Sequence, residues 1–288
     1  MIKQYSDEEI AEFKAFYEEH GVVRLPGLVG PAWVERILAT IDEVSKLSDA
    51  PRAEGQSLNF GKAEGRMTIR HMWREIDTIR EFMLQSALAE PLARVIGSKQ
   101  LRFWFDLTFI HNGAPDGETG AGTGWHHDVA AFAFKGDQLG SLWMAMTPSS
   151  AERSRLMFID KSHKTAQGLY ATDLMKTQGL MATPDFDALV REGKENIITW
   201  DCEPGDAIIL HPYVIHGASG NKGNFGRRVA ITTRWIGDDV RFYPTPGATG
   251  SGTVGVDTST MPIGAKPRGE FFPLVWPPEE AAKTGPRD

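Results

Sequence analysis

The chain has 288 residues, of which 41% are hydrophobic and 24% are charged, with 30 Gly and 17 Pro. This composition is that of an ordinary globular protein, and it excludes intrinsic disorder, collagen-like repeats and a coiled coil. The 31 basic and 38 acidic residues give a net charge of -7, which argues against nucleic acid as a partner because the chain would repel a phosphate backbone.

Cys202 is the only cysteine of the chain. An intrachain disulfide and a metal site made of cysteines alone are therefore excluded, and a reducing compartment is favoured. Residues 1–9 lack the basic region and apolar core of a secretory signal, and no apolar run reaches about 18 residues. We therefore expect a cytoplasmic protein with no membrane partner, whose metal ligands, if any, are His and carboxylate side chains.

The first hundred residues are predicted to be mostly helical. Ser6 and Glu9 form a capping box ahead of a first helix that ends at Gly21, and Val22–Leu25 follows as a short strand. Apolar residues at helical spacing predict three further helices, at 31–44, 75–84 and 88–96.

From residue 101 onward, short β-rich runs alternate with clusters of Gly, Pro, Asn and Asp, which is typical of a barrel or jelly roll. The runs are 101–110, 141–146, Leu156–Ile159, Ala207–Leu210 and 229–236. Residues 164–196 break this pattern and predict an insertion over one mouth of the barrel. Residues 247–255 and 277–288 are predicted to be mobile surface segments.

The sharpest local motif is Trp125-His126-His127-Asp128. In an extended chain, residues two apart point to one side, so His126 and Asp128 can converge on one ion while His127 points away. Together they supply two corners of the two-His, one-carboxylate triad that binds Fe(II). The motif alone is weak, since a His-x-Asp sequence is more often a hydrogen-bonded pair than a metal site.

A third ligand is expected beyond the turn Pro204-Gly205-Asp206, where two histidines are candidates. His216 is preferred because it lies beyond a predicted strand and precedes Gly217, which has no side chain and lets another backbone segment approach closely. His211 is the alternative, but it precedes Pro212, and a packed imidazole is the commoner role for such a residue.

The combination resembles the phytanoyl-CoA dioxygenase family of Fe(II)- and 2-oxoglutarate-dependent oxygenases. The matching pieces occur in the family's order over roughly residues 5–243: Trp125-His126-x-Asp128, Lys161-Ser162-His163-Lys164, Pro204-Gly205-Asp206, His216-Gly217 and Arg227-Arg228. The resemblance implies a mainly β fold with flanking helices, a double-stranded β-helix (jelly-roll, cupin-like) barrel with an N-terminal helical layer. We expect one domain over 1–288, with helical support at 1–100, the core at 101–243 and a partly mobile C-terminal extension at 244–288.

The resemblance implies that His126, Asp128 and His216 are the catalytic iron ligands. Arg227 matches the arginine that grips the distal carboxylate of 2-oxoglutarate, a task for which a guanidinium fork is suited. Arg228 is expected on the other face of its strand, exposed to solvent. The implied cofactors are Fe(II), 2-oxoglutarate and O2, with ascorbate as an activator.

Three further residues match family positions near the cosubstrate, namely Trp143, Thr108 and, by a looser alignment, Arg70. Structural packing is an equally good expectation for each of them. The chain departs from the family pattern at 151–155, 160–161 and 110–112, where members differ in substrate. Arg155 and His111 are therefore candidates for substrate recognition, although surface charge is the commoner role for such residues.

The expected reaction is hydroxylation or another oxidation of a C–H bond of a small organic metabolite, with release of succinate and CO2. The presence of Asp128 favours this over halogenation. Aromatic and Met side chains near the motifs predict a largely apolar pocket, although core packing is the commoner role for any one of them: Phe105, Phe132, Phe134, Met144, Met146 and Met157.

Two alternatives remain at this level. One is an oxygenase acting on a CoA- or carrier-linked acyl group, for which the sequence shows no basic cluster. The other is a non-catalytic cupin-like binding module. The sequence does not predict the oligomeric state.

Overall fold

A computed structural model describes residues 1–51, 56–63, 65–113, 119–120, 122–166, 168–170, 180–245 and 261–283. The helices are α1 (Asp7–His20), α2 (Pro31–Ser45), α3 (Met72–Glu75), α4 (Asp77–Gln85), α5 (Ala89–Ile96), α6 (Ser162–Thr165), α7 (Phe186–Arg191) and α8 (Pro278–Ala281). The strands are β1 (Val22–Leu25), β2 (Asn59–Ala63), β3 (Arg66–Arg70), β4 (Leu101–His111), β5 (Thr119–Gly120), β6 (Thr123–His126), β7 (Phe134–Lys135), β8 (Leu139–Ala145), β9 (Leu156–Ile159), β10 (Ile197–Thr199), β11 (Ala207–Leu210), β12 (His216–Ala218), β13 (Asn221–Lys222), β14 (Arg228–Ile236), β15 (Arg241–Phe242) and β16 (Leu274–Trp276).

Two antiparallel sheets form the jelly roll. The larger sheet has eight strands, in the order β1-β11-β8-β14-β4-β3-β2 with β16 added beside β4, and the smaller has the order β10-β9-β12-β6. The expected mainly β fold with flanking helices is therefore confirmed, and the predicted strands are all present.

Strand β14 separates the two sides of the larger sheet. Val229 and Ile231 pack into the main core with helix residues such as Ile37 of α2. Their neighbours Arg228 and Thr232 line a cavity on the opposite side. Because side chains alternate along a strand, one face of the sheet carries the helical layer and the other carries the polar site.

The N-terminal helices form largely as the sequence predicts. The capping box of Ser6 and Glu9 starts α1, and Gly21 ends it in the left-handed conformation with φ of 77°. Pro31 begins α2. The helix expected at 75–84 forms as α4, and the short α3 precedes it.

The hairpin of β2 and β3 is the main element that the sequence analysis missed. It extends the larger sheet beyond β4, in a region expected to be helical. The available signal was Arg66-Met67-Thr68-Ile69-Arg70, in which polar and apolar residues alternate as in a half-buried strand.

The described parts of the predicted insertion at 164–196 pack on the outer side of the smaller sheet, with Tyr170 and Phe186 against Ile159 and Ile215. Residues 167 and 171–179 lie outside the described residues. The C-terminal extension contributes β16 and α8, so part of the segment predicted to be mobile at 277–288 forms a short helix, and residues 284–288 lie outside the described residues. The segment expected to be mobile at 247–255 lies outside the described residues. In the described ranges, no helix has both the length and the apolar character needed to cross a membrane.

The Pro204-Gly205-Asp206 turn yields a stability prediction. Gly205 has a φ of 97°, and a Cβ at this position would lie 2.2 Å from the backbone oxygen of Val29. Gly27 also has a positive φ, of 65°, but nothing lies within 4 Å of its Cβ position. We expect Gly27→Ala to lower the free energy of unfolding by about 1–2 kcal/mol. Gly205→Ala should lower the free energy of unfolding by about 1–3 kcal/mol more than Gly27→Ala does, because the backbone at Val29 must shift to admit the Cβ.

Urea unfolding of both variants, followed by circular dichroism, tests this expectation. Equal destabilisation by the two substitutions would contradict the steric argument.

Candidate metal centre

The three predicted ligands come together between the sheets. His126 ends β6 and His216 begins β12, and the two residues are paired across these strands with ring centroids 4.3 Å apart. His127 remains extended, with φ of -124° and ψ of 139°, so Asp128 returns to the same side as His126. One ligand atom from each of the three side chains lies within 4.8 Å of the others.

Hydrogen bonds orient both imidazoles toward the carboxylate. Nδ1 of His126 donates to the backbone oxygen of Gly124 at 2.9 Å, and Nδ1 of His216 donates to that of Val214 at 3.1 Å. Since a carbonyl oxygen only accepts, the proton of each neutral ring is on Nδ1 and the Nε2 lone pair is free. Each Nε2 lies 3.9 Å from Oδ1 of Asp128.

The charge states also suit metal binding. Burial lowers the pKa of His216 to about 3, helped by the neighbouring His126, so its ring is neutral at pH 7. Burial by itself raises the pKa of Asp128, but the charge of the Arg234 guanidinium is the largest opposing effect and helps to leave the pKa below its usual value. The neutral His216 ring and the Asp128 carboxylate therefore face a common point with Nε2 of His126.

Arg234 is a partner of this centre that the sequence analysis did not identify. Its Nη2 donates to Oδ2 of Asp128 at 2.6 Å, and both side chains are nearly buried. Arg234 lies on β14, two residues beyond Thr232 on the same face, so strand alternation was the signal that could have found it. The bond fixes one carboxylate oxygen and leaves Oδ1 toward the imidazoles.

The other histidines lie apart from the triad. His127 points away, as expected, and its Nε2 accepts a hydrogen bond from the backbone of Tyr170 at 2.8 Å. His211, the alternative third ligand, packs against His163 with ring centroids 5.0 Å apart. The preference for His216 over His211 thus agrees with the geometry.

A cavity of about 110 Å³ opens beside the triad, between the two sheets. Besides the triad, its walls include Trp143, Phe109, His111, Thr232, Arg228 and Arg234. Trp143 and His111, two of the candidates for cosubstrate and substrate contact, therefore line the same cavity as the triad.

The two adjacent arginines take the opposite places from those expected. Arg227 is 41% exposed, and its guanidinium forms a two-pronged pair with Asp42 on the protein surface, at 2.7 and 3.0 Å. Arg228 is 2% exposed and reaches the cavity, where Nη2 donates to the backbone oxygen and to Oγ of Ser154. The expectation that Arg227 faces the site does not hold, because strand alternation turns Arg228 inward with Thr232 and Arg234.

Nε and Nη1 of Arg228 have no hydrogen-bond partner among the described residues. Burial lowers the pKa of this guanidinium to about 9, helped by the charge of Arg66. The group is still charged at pH 7. A buried cation with free donors is a candidate anion-binding site, because an anion would compensate its desolvation.

Thr108 does not reach the site. It is fully buried, and its pairing partners Ile69 and Ile231 belong to the main core on the helix-covered face of the larger sheet, here called the helix-side core. Met144 and Met146 also lie in that core rather than in the pocket.

The predicted substrate residues other than His111 lie outside the cavity walls. Phe105, Phe132 and Phe134 form an aromatic cluster around Trp104. Phe105 and Phe132 lie 6.0 and 5.5 Å from the Arg234 guanidinium, so they pack behind the metal centre.

Met157 and Arg155 also point elsewhere. Phe158, the neighbour of Met157 on β9, is the residue whose ring stacks on His216, so alternation turns Met157 to the other side. Arg155 forms an ion pair with Asp201 at 2.9 Å. Neither residue lines the cavities beside the triad.

A largely buried triad of two imidazoles and one carboxylate in a jelly roll is typical of a mononuclear non-haem iron oxygenase. The sequence model of the family described as phytanoyl-CoA dioxygenase (PhyH) matches residues 17–229, and the chain belongs to this family. It is an Fe(II)- and 2-oxoglutarate-dependent dioxygenase.

Relatives agree in sequence and in fold. A probable phytanoyl-CoA dioxygenase of Caenorhabditis elegans is 24% identical over 248 residues, covering 81% of this chain and 77% of that protein. The epimerase SnoN of nogalamycin biosynthesis, solved with Fe3+, alpha ketoglutarate and nogalamycin RO, matches with a TM-score of 0.72 at 19% identity, over 94% of this chain and all of that chain. EctD from S. alaskensis with bound Fe matches with a TM-score of 0.61 at 14% identity, over 81% of this chain and 79% of that chain.

Proposed function

We propose that this enzyme oxidises a C–H bond of a small organic metabolite, with conversion of 2-oxoglutarate and O2 to succinate and CO2. His126, Asp128 and His216 would hold Fe(II) through two Nε2 atoms and one carboxylate oxygen. The observation that carries this proposal is the orientation of both free Nε2 atoms toward the same oxygen of Asp128, at 3.9 Å each.

When bound, Fe(II) would supply the chemistry of O2 activation. The protein's own residues fix the geometry of the ligands. Arg234 holds Oδ2 of Asp128, while the backbone oxygens of Gly124 and Val214 hold the two Nδ1–H groups. Such supporting contacts keep ligands in place during turnover.

Arg228 is proposed to bind the distal carboxylate of 2-oxoglutarate, in place of Arg227. Its unpaired Nε and Nη1 support this role, as does its place in the wall of the cavity that contains the triad. Trp143, with its ring 5.8 Å from the Arg228 guanidinium, is proposed to flank the cosubstrate. A planar carboxylate can accept two hydrogen bonds from the guanidinium at once.

We also propose a cytoplasmic location and no nucleic-acid partner. A single thiol, Cys202, is buried, and burial raises its pKa to about 12, so it is an unreactive core residue rather than half of a disulfide. The net charge of -7 supports a small-molecule substrate over a polyanion.

Anaerobic titration with Fe(II) and 2-oxoglutarate tests the metal assignment. We expect a weak visible absorption band in the native enzyme and its loss in His216→Ala, because one of three ligands is removed. His211→Ala is the matched control, since it removes a buried imidazole outside the triad, and it should keep the band.

Succinate release is measured in the same preparations with Fe(II), 2-oxoglutarate and ascorbate under air. A native enzyme that gives neither the band nor succinate would support the non-catalytic binding module instead. A band that survives His216→Ala would contradict the ligand assignment.

A further inference from the structure

A second and larger cavity, of about 470 Å³, adjoins the one beside the triad. We call this second cavity the outer cavity and the one beside the triad the inner cavity. Both are lined by Phe109, His111, Thr123 and His126, so an occupant of the outer cavity lies next to a proposed iron ligand. This volume lies in the range of about 300–1,000 Å³ typical of small-molecule sites.

The outer cavity is basic, in contrast to the acidic chain as a whole. Lys62, Arg66 and Arg70 of the β2–β3 hairpin line one side, and the described residues around the cavity include no Asp or Glu. Phe109, Met67 and Trp125 supply apolar surface. Lys62, Arg66 and Arg70 lie within one hairpin of the sequence, but only the fold brings this hairpin beside Phe109 and the segment at 122–126.

The three cations differ in their partners. Lys62 pairs with Asp49 at 2.6 Å, and Arg66 donates to the backbone oxygen of Gly122 at 2.6 Å. The Arg70 guanidinium has no hydrogen bond or ion pair with any of the residues that the structure describes. Arg70 is therefore the cation of this cavity with all its donors available.

The register of β3 fixes the position of Arg70. Arg70 pairs with Leu107 of β4, and Ile69 beside it is buried in the helix-side core. Alternation then turns Arg70 toward the cavity, where it is partly buried, and burial lowers the pKa of its guanidinium. The group remains charged, and an ordered anion would compensate its loss of water.

We propose that Arg70 binds a free carboxylate of the organic substrate, whose apolar body lies against Phe109, Met67 and Trp125. A single unpaired guanidinium matches a single carboxylate, through two parallel hydrogen bonds. The substrate class is then an apolar carboxylic acid in its free form rather than a thioester, whose acyl carbonyl carries no charge. This inference rests on the proposed function for the reaction at the triad.

The loose match of Arg70 to a family position near 2-oxoglutarate offers a different role for this arginine, and the two roles predict different results. Arg228 already offers a fully buried anion site in the inner cavity, whereas Arg70 lines the outer one. If Arg70 serves the substrate, Arg70→Gln leaves the affinity for 2-oxoglutarate unchanged.

Calorimetric titration with paired probes tests the proposal. The probes are octanoate and 3-phenylpropionate, each with its methyl ester, added to enzyme loaded with Fe(II) and 2-oxoglutarate under anaerobic conditions. We expect each acid to bind the native enzyme about tenfold more tightly than its ester, because only the acid forms charge-assisted hydrogen bonds. Arg70→Gln should abolish the preference, Arg70→Lys should restore part of it, and the surface variant Arg227→Gln should retain it.

The proposal is overturned if the native enzyme shows no preference for the acids, which includes the case in which no probe binds. It is also overturned if the preference survives in Arg70→Gln, or if Arg70→Gln loses affinity for 2-oxoglutarate. The same probes are titrated into metal-free enzyme without 2-oxoglutarate. An acid preference that depends on Arg70 in that sample supports the carboxylate site even if Fe(II) and 2-oxoglutarate fail to bind. Failure of the proposed function is thereby distinguished from failure of this inference.

Discussion

Arg228→Gln is expected to raise the Kd of 2-oxoglutarate by about 30- to 100-fold, whereas Arg227→Gln should change it by less than about twofold. The two residues are adjacent and carry the same charge, so the net charge changes equally. They differ in place, since Arg228 is 2% exposed in the cavity and Arg227 is paired with Asp42 at the surface.

The magnitude follows from the loss of hydrogen bonds between charged groups at a buried site. Such bonds contribute about 1.5–3 kcal/mol each, and every 1.4 kcal/mol is a factor of ten in Kd. An exposed pair such as Arg227 with Asp42 contributes about 0–1 kcal/mol to stability and nothing to a ligand it does not touch.

The measurement is an anaerobic titration of 2-oxoglutarate into Fe(II)-loaded enzyme, read from the visible band or by calorimetry. Thermal unfolding serves as the control for folding. Arg228→Gln should remain folded, because it removes a buried cation and leaves no opposite charge unpaired. A larger effect of Arg227→Gln than of Arg228→Gln would return the cosubstrate role to Arg227.

Asp128→Ala is expected to lower the free energy of unfolding of the metal-free enzyme by about 3–5 kcal/mol, in addition to abolishing iron binding. The reason is Arg234, which is left as a buried cation without its partner at 2.6 Å. Breaking one side of a buried ion pair has an effect of this size.

The double variant Asp128→Ala with Arg234→Met separates the two effects. It should recover most of the lost stability, because an apolar side chain replaces the unpaired charge, yet it should still bind no iron. Arg234→Met alone keeps the three ligands and should weaken iron binding by about 10- to 100-fold, as is usual when a ligand loses its supporting contact.

Urea unfolding in the presence of a chelator and iron analysis after anaerobic loading are the two measurements. If metal-free Asp128→Ala has the same free energy of unfolding as the native enzyme, the ion pair with Arg234 does not stabilise the fold. Full iron affinity in Arg234→Met would show that Asp128 needs no support from that arginine.

Much of the site was predictable because it depends on local geometry. His126 and Asp128 are two residues apart in an extended segment, so the covalent chain itself directs both side chains to one side. The same holds for the first helix, whose capping box with Ser6 and Glu9 involves residues three apart.

The arginine proposed to bind the cosubstrate shows where counting along the chain is insufficient. Arg227 and Arg228 are consecutive, and in an extended strand consecutive side chains point to opposite faces. The choice between them depends on which face of β14 carries the helices, and residues such as Val229 and Ile231 reveal that face only through their packing. Their apolar character beside Arg228 was the available signal.

The sequence by itself determined the pair His126 and Asp128, the run of short strands and the absence of an intrachain disulfide, because these depend on short spacings, strand periodicity and composition. His216 was the preferred of two candidates for the third ligand, and the resemblance to the family completed the triad. The tertiary structure decided which arginine enters the site, that Arg234 supports Asp128, and that Lys62, Arg66 and Arg70 form a basic cavity in an acidic chain. Arg234 and Asp128 come from distant parts of the chain, and the hairpin that carries the three cations meets residues 122–126 only in the folded protein. Pairing of β3 with β4 and of β14 with β8 sets their contacts, and no local pattern encodes that pairing.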